Sequence, residues 1–249
     1  MPEDFEIKRK VLIKYNGKSK NPVIPEGVKK IAPDAFANAD IETVSIPETV
    51  TEICENAFIG SYLREVTIPK SVLHMGEGAF ALCEHLRSFT VLNGKMTFGT
   101  KGINSVFCAN KRLSEVNLPE DMPRATGFLS GAGKLKSVEL LPTETEIKPM
   151  AFYTCASLCE VIIPEGVTKI GAGAFMDCVS LRKIVLPECV AEIEDRAFEN
   201  CFRLRTVVFS KNLKKIGSGA FNDCDSLGAR TIAKIEKISD NAFCGKEWD

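Results

Sequence analysis

The sequence lacks an excess of charge of either sign, with 32 basic and 33 acidic residues in a chain of 249. Domains that bind nucleic acid usually carry a net basic footprint, and none is present here. No run of apolar residues approaches the ~20 that a transmembrane helix needs. We therefore expect no nucleic-acid partner and no membrane span.

The chain also has few of the residues and motifs that enzymes use. Only two histidines occur, His74 and His85. The sequence contains no G-x-S-x-G, no P-loop and no H-E-x-x-H motif. The fragment Gly171-Ala172-Gly173 lacks the strand and long helix that surround a phosphate-binding loop. We predict no catalytic activity, no cofactor and no metal.

A signal peptide is missing from the start of the printed sequence. The first residues, Met1-Pro2-Glu3-Asp4-Phe5, have neither the basic start nor the apolar core of such a signal. We expect a cytoplasmic protein. The alternative is a secreted or cell-surface protein from which a signal peptide has been removed.

What the chain does contain is a repeat. The pair Ala-Phe occurs eight times, and neighbouring clear copies are 22 or 23 residues apart. Looser copies lie at Phe107 and Phe128. A period of this length indicates a solenoid, in which each coil is covered by its neighbours. The eight pairs end at Phe36, Phe58, Phe80, Phe152, Phe175, Phe198, Phe221 and Phe243.

One coil illustrates the expected local structure. Leu158, Val161 and Ile163 stand at offsets 0, 3 and 5, which predicts a short strand that pairs in parallel with its neighbours about 4.8 Å away. Equivalent trios are Ile41/Val44/Ile46, Leu63/Val66/Ile68, Leu86/Phe89/Val91, Leu113/Val116/Leu118, Leu135/Val138/Leu140, Leu181/Ile184/Leu186 and Leu204/Val207/Phe209.

The rest of the coil turns back to the next strand. A proline ends most of the strands, since it has no N–H for the ladder. Val167 and Ile170 form a second inward pair, and Gly171 and Gly173 permit the bend that follows. The Ala-Phe pair ending at Phe175 then opens a short helical or 3₁₀ turn.

This combination resembles the BspA type of leucine-rich repeat, the Treponema pallidum-like class, over almost the whole chain from Val23 to Phe243. The resemblance implies an α/β fold: a right-handed solenoid of about ten coils with a concave parallel β-sheet and little long helix. It also implies a role in protein binding or adhesion.

The predicted organisation is a capping hairpin over residues 1–22, followed by one continuous solenoid over residues 23–249. Residues 92–135 break the rhythm, and Asn93–Gly99 has the composition of an inserted loop. An irregular loop on a rigid scaffold often carries function. The alternative, a decayed repeat, stays open.

Half of the ten cysteines occupy one position, three residues after the repeat phenylalanine, and we expect small, buried and reduced side chains there. Cys159 and Cys189 lie elsewhere, and we expect Cys159 to be exposed. The cysteines at the repeated position are Cys83, Cys155, Cys178, Cys201 and Cys224; Ala39, Ser61, Asn110 and Gly131 fill it in other coils.

The candidate partner-binding residues flank the middle inward residue of each strand. In most coils these positions are polar, but Ile162, Val185 and Val208 form an apolar column, and Lys183 and Thr206 lie beside it. An exposed apolar stripe often marks an interaction site. The alternative is that β-branched residues simply suit a sheet.

A basic ridge precedes the strands. It could meet an acidic partner, or it could be a solvated face neutralised by nearby carboxylates. The ridge consists of Arg64, Arg87, Lys136, Arg182 and Arg205.

The C-terminal end has a weak last coil, in which Arg230 stands where an inward apolar residue belongs. A solenoid end needs a cover. We expect this end either to fray or to form an end-to-end dimer.

Three functions are compatible with the sequence. The leading hypothesis is a non-catalytic protein-interaction module that uses its concave face. The second is a cell-surface adhesin of the same architecture, and the third is a structural spacer without a dedicated ligand.

Overall fold

The computed structural model describes residues 4–99 and 106–243. The chain divides into two compact units, Met1–Met122 and Pro123–Asp249, which are described separately. Together they contain about nine turns of a β-solenoid with parallel sheets and one short helix.

Unit 1 opens with an antiparallel hairpin whose second strand pairs in parallel with the first coil. Its strands form a six-stranded sheet, β1-β2-β3-β4-β6-β8, and a three-stranded sheet, β5-β7-β9. The bounds are β1 Phe5–Lys8, β2 Val11–Tyr15, β3 Lys30–Ile31, β4 Glu52–Ile53, β5 Glu65–Ile68, β6 His74–Met75, β7 Ser88–Val91, β8 Thr97–Phe98 and β9 Glu115–Asn117.

Unit 2 repeats the arrangement with a four-stranded sheet, β11-β13-β15-β17, and two strand pairs, β10-β12 and β14-β16. Among the described residues of this unit one helix, α1, follows the last strand. The bounds are β10 Ser137–Glu139, β11 Glu146–Ile147, β12 Glu160–Ile162, β13 Lys169–Ile170, β14 Lys183–Val185, β15 Glu192–Ile193, β16 Thr206–Val208, β17 Lys215–Ile216 and α1 Ala229–Glu236.

The longer strands lie on the predicted apolar trios and pair in parallel from coil to coil, as expected. We call these seven the long strands: β5, β7, β9, β10, β12, β14 and β16. The first trio differs, because its coil contributes only an isolated bridge between Val23 and Ser45.

In most coils the returning side adds a two-residue strand to a further parallel ladder of its unit, which was not predicted from the sequence. There the predicted inward residue Ile170 lies in a two-residue strand, in register with Ile147 and Ile193 of the adjacent coils. These isoleucines are fully buried. Stacking identical β-branched residues lets even a two-residue strand join a ladder.

The Ala-Phe segment is a chain of tight turns rather than a helix. Its backbone N–H groups alternate between two kinds of hydrogen bond. Some stay within the coil, as when the Cys178 N–H donates to the Phe175 carbonyl (3.1 Å), and others reach the next coil, as when the Phe175 N–H donates to the Ala197 carbonyl (2.8 Å). Two residues per coil adopt left-handed backbone angles, here Gly173 (φ +59°) and Asp177 (φ +61°). This confirms the bend expected at Gly173.

The repeat phenylalanines fill the interior. In unit 1 the Phe58 ring stacks between those of Phe36 and Phe80, with centroids 4.7 and 4.8 Å apart. In unit 2, Phe175 stacks on Phe198 at 5.2 Å. All of these side chains are buried, so each aromatic ring is covered by the coils on both sides.

One repeat is out of the predicted register. Although Phe128 is buried, Leu129 holds the backbone position of the repeat phenylalanine: its carbonyl accepts the bond from Ala132 (3.1 Å). Ala132, and not Gly131, therefore fills the position assigned to cysteine. Gly131 instead takes the left-handed angle (φ +84°) that follows the phenylalanine in other coils.

The segment Asn93–Gly99 is not simply an inserted loop, because it contains β8, which pairs with β6. The Asn93 side chain also donates to the Val72 carbonyl (2.9 Å). Gly99 occupies the position of Gly76 one coil earlier, since each donates its N–H to the preceding short strand. The additional residues of this coil therefore fall between Gly99 and Phe107, where residues 100–105 lie outside the described part.

The C-terminal coil contains α1 in place of the strand expected around Arg230. Within this helix Arg230 is exposed, Ile235 is fully buried, and the Lys234 ammonium lies 5.6 Å from the centroid of the Phe209 ring. The helix thus supplies one buried residue, Ile235, to the last coil, and the fraying expected at this end stays a prediction. The end-to-end dimer stays a prediction, and residues 244–249 lie outside the described part.

Candidate functional site

The apolar column, Ile162, Val185 and Val208, lies at the C-terminal ends of three long strands. These side chains are 52, 46 and 44% exposed, whereas the central residue of each strand points inward. Val185 and Val208 are direct register partners. Strand alternation thus holds three β-branched side chains in water along one line.

The other two candidate residues form a polar row beside the apolar column. Lys183 and Thr206 are register partners on β14 and β16, and both are exposed. No carboxylate lies within ion-pair distance of the Lys183 ammonium among the residues that the structure describes. The structure therefore brings all five candidate residues onto one face of unit 2.

This face contains a shallow groove of about 550 Å³. Apolar and charged side chains both line it, so it could hold a partner segment by area and orient it by charge. Its lining includes Cys159, Glu160, Ile162, Glu165, Lys183 and Val185. The exposure expected of Cys159 is confirmed, and its thiol donates to the Ser157 carbonyl at 3.2 Å.

The same face of unit 1 is polar. A groove of about 590 Å³ there is lined by Thr67 and Thr90, which take the positions of the apolar column. The next residue in this row, Asn117, donates from its amide to the Thr90 hydroxyl at 3.2 Å. Polar groups in this row thus bond to one another as well as to water.

The basic ridge also differs between the units. In unit 1 the Arg64 guanidinium lies 3.2 Å from the Glu42 carboxylate. In unit 2, Arg182 and Arg205 are exposed neighbours joined by a backbone hydrogen bond of 2.9 Å. Neither of these two guanidinium groups has a carboxylate within 4.0 Å in the described ranges.

The cysteines at the repeated position are buried, reduced and hydrogen-bonded. We call the four in unit 2 the thiol ladder: Cys155, Cys178, Cys201 and Cys224. Each thiol donates to the carbonyl of the phenylalanine position one coil earlier, at 3.1 to 3.2 Å. Burial raises the pKa of Cys155 to about 12 and the pKa values of Cys178 and Cys201 well above 9.0. The thiols of Cys155, Cys178 and Cys201 therefore stay protonated at neutral pH, so they are poor nucleophiles.

The two histidines lie apart. His74 is in β6, where its Nδ1 is 3.0 Å from the Thr97 hydroxyl, and His85 stacks on Tyr62 with ring centroids 5.1 Å apart. Within residues 4–99 and 106–243 no group of three His, Cys, Asp or Glu side chains is placed to hold a metal ion. In the same ranges no helix has the length and apolar character needed to cross a membrane.

One buried charged residue escaped the sequence analysis. Glu144 takes the position of the inward valine Val167, yet only 7% of it is exposed. Its carboxylate accepts backbone hydrogen bonds from Arg124 (2.8 Å), Ala125 (2.5 Å) and Leu141 (2.7 Å). No short strand occurs between Pro123 and Ser130, so the side chain supplies acceptors that a strand would otherwise provide. The signal was a glutamate where other coils have valine.

Comparison with solved structures supports this fold. A leucine-rich cell surface protein from Faecalibacterium prausnitzii shares 25% sequence identity with this chain and superposes with a TM-score of 0.61. The match covers 91% of this chain and 64% of the Faecalibacterium chain. This chain therefore spans about two thirds of that relative. The pneumococcal vaccine antigen PcpA is 18% identical with a TM-score of 0.53, covering 89% of this chain and 77% of its own, and shows the fold alone.

No curated protein sequence is detectably similar to this chain. The relatives with solved structures lend no support to the expected cytoplasmic location, since the Faecalibacterium protein is described as a cell surface protein. No enzyme family is indicated. The family model that describes a BspA-type leucine-rich repeat region of six repeat copies matches residues 7–126 and again residues 125–247, so this chain belongs to the BspA-type leucine-rich repeat family.

Proposed function

We propose that this protein is a non-catalytic protein-binding module that contacts its partner through the long-strand face of unit 2. The observation that carries the proposal is the apolar column. Three aliphatic side chains, each about half exposed, stand in a line where unit 1 has threonine and asparagine. Covering them would remove apolar area from water at no cost in lost hydrogen bonds.

The family supports the same conclusion at a coarser level, because leucine-rich repeat proteins generally mediate protein interactions. A shallow groove on a rigid sheet suits a protein surface better than a small substrate, which is usually enclosed. We expect the partner to be a protein and not a nucleic acid, given the balanced charge.

The test compares two triple variants of the full chain as bait in quantitative pull-downs from the native cell. The first variant replaces Ile162, Val185 and Val208 with Lys. The matched control replaces Thr67, Thr90 and Asn117 with Lys as well. All six positions face outward at the same place in the repeat, so both proteins should fold. We expect partner recovery to fall at least about tenfold in the first variant and to stay unchanged in the control.

A different result would redirect the proposal. Unchanged recovery with both variants would remove this face as the site, and the absence of any specific partner would favour a structural spacer. Equal loss with both would place binding on a broader surface.

The second candidate is a cell-surface adhesin. The similarity to a cell surface protein favours it, and the chain spans only part of that relative. Protease treatment of intact cells tests it: an adhesin would be cleaved from the outside, while an internal protein would survive until lysis.

A further inference from the structure

We propose that the partner presents an amphipathic α-helix to unit 2, with apolar side chains on the apolar column and acidic side chains along the flank that meets Arg182, Lys183 and Arg205. This inference rests on the proposed function and specifies the partner. Two features of the face carry it: the spacing of the apolar column and the distribution of charge on its two sides.

The spacing favours a helix over an extended peptide. The members of the apolar column belong to successive coils, and β14 and β16, which carry Val185 and Val208, pair in a ladder whose strands lie about 4.8 Å apart. A helix running along the column brings one side chain to its contact face every turn, or about 5.4 Å. An extended peptide does so about every 6.7 Å. Over the step from Val185 to Val208 the helix drifts by about 0.6 Å and the extended chain by about 1.9 Å.

The charges define the flanks of that helix. At the N-terminal ends of strands β14 and β16, Arg182 and Arg205 are exposed and adjacent, and Lys183 lies between them and the apolar column. Salt-bridge partners for these three cations are absent from the described parts of the chain. Carboxylates of a docked helix could pair with them without displacing an internal partner.

At the C-terminal ends of strands β12 and β14 the exposed charges are negative. Glu165 and Glu188 are exposed there, and Glu188 lies 4.0 Å from Lys211. Acidic residues on this second flank of a docked helix would meet carboxylates. The face therefore selects a helix with its acidic residues on one side of the apolar stripe only, which fixes the direction in which it docks.

The described residues of unit 1 present a different surface at the same repeat positions. Its row of threonine and asparagine is polar, and Arg64 of its basic ridge is already paired with Glu42. This difference supplies a matched control for each part of the proposal.

The experiment measures fluorescence anisotropy of defined probes with the full chain. The first probe is a helix-stabilised peptide of about 14 residues, with leucines at i, i+4 and i+7 and glutamates along one flank. The second has lysines in place of those glutamates, and the third is the acidic peptide interrupted by two prolines, which cannot form the helix. We expect the acidic helix to bind roughly tenfold more tightly than the lysine helix. The proline peptide should not bind measurably.

Variants assign the preference to the face. The double variant R182E/R205E should abolish the preference for the acidic helix, whereas R64E/R87E, at the same repeat positions in unit 1, should keep it. Higher salt should weaken the acidic helix more than the lysine helix, because exposed charges are screened. Equal binding of the two helices, equal binding of the proline peptide, or an unchanged preference in R182E/R205E would overturn the inference.

The two proposals fail in distinguishable ways. If the lysine triple variant of the apolar column loses the cellular partner while R182E/R205E keeps it, the binding face stands and the acidic-helix partner is wrong. If the lysine triple variant keeps the partner, the face itself is wrong.

Discussion

The two units have equivalent interiors but different surfaces. Phe58 in unit 1 and Phe175 in unit 2 occupy the same buried position and stack on the phenylalanines of adjacent coils. On the long-strand face, however, Thr90 of unit 1 stands where Val185 stands in unit 2. The fold constrains the residues that neighbouring coils cover and leaves the outward positions free to vary.

That difference has an energetic meaning. The polar row of unit 1 partly satisfies itself, as the bond from Asn117 to Thr90 shows, so covering it would cost the desolvation of polar groups. The apolar column of unit 2 has no such cost. A partner therefore gains more from unit 2, although both grooves have similar volumes.

If the interiors are equivalent, truncating the same aromatic ring should cost the same in both units. We expect Phe58→Ala and Phe175→Ala each to lower the free energy of unfolding by about 3–5 kcal/mol, the usual cost of removing a buried aromatic side chain. Urea unfolding of the full chain, with hydrogen exchange to locate the destabilised unit, measures this.

The control is Phe202→Ala, since Phe202 is 45% exposed and lies outside the stack. It should cost less than about 1 kcal/mol. A large difference between the two buried variants would show that the interiors are not equivalent.

The sequence predicted the parts of the fold that repeat. The Ala-Phe pairs and the L-x-x-L-x-L trios locate the buried positions, because coils of nearly constant length place equivalent residues above one another. The same counting placed Ile162, Val185 and Val208 on the outward side of the strands. Whether they bind a partner depends on a molecule that the sequence does not contain.

The predictions from the sequence were wrong in the coils that depart from the common repeat pattern. Leu129, and not Phe128, occupies the position of the repeat phenylalanine. Both residues are apolar, so the choice between them is set by the left-handed turn positions, Gly127 and Gly131, which lie two residues before and after Leu129. Helix α1 was assigned as a strand by analogy, although Ile232, Ile235 and Ile238 follow a helical spacing. Local chemistry prevailed over the repeat in each case.

The thiol ladder gives the units different responses to alkaline pH. Unit 2 has Cys155, Cys178 and Cys201 with strongly raised pKa values, whereas in unit 1 burial raises the pKa of Cys83 to about 11 and also raises that of Cys54. A raised folded-state pKa contributes stability that is complete below 9.0 and is lost as the pH rises through the folded value. At pH 10, one unit above 9.0, the Cys155 thiol should cost about 1.4 kcal/mol of stability, and Cys178 and Cys201 should add losses in the same direction.

Hydrogen exchange between pH 8 and pH 10.5, corrected for the intrinsic exchange rate, should show unit 2 opening first. Serine is the matched replacement, since Ser61 fills the same buried position in unit 1 and can donate a hydrogen bond without ionising in this range. Replacing the three thiols by serine should remove most of the alkaline loss. If the loss persists, other titrating groups cause it.

The third and smallest effect concerns Glu144, a buried carboxylate of unit 2 at the repeat position that holds the inward valines Val50 and Val72 in unit 1. Restoring the repeat with Glu144→Val would ordinarily be expected to stabilise the protein. We expect the reverse, a loss of about 1–3 kcal/mol, because the backbone N–H groups of Arg124 and Ala125 would lose their acceptor.

Two further substitutions separate this cause from the general effect of a valine. Leu213→Val makes the same residue at the equivalent place in a coil that has its short strand, β17, and should cost less than about 1.5 kcal/mol. Glu144→Gln keeps one acceptor oxygen and should fall between the wild type and Glu144→Val. A stabilised Glu144→Val protein would mean that the carboxylate does not replace the missing strand, and that the shortened coil tolerates unpaired backbone donors or repairs them with water.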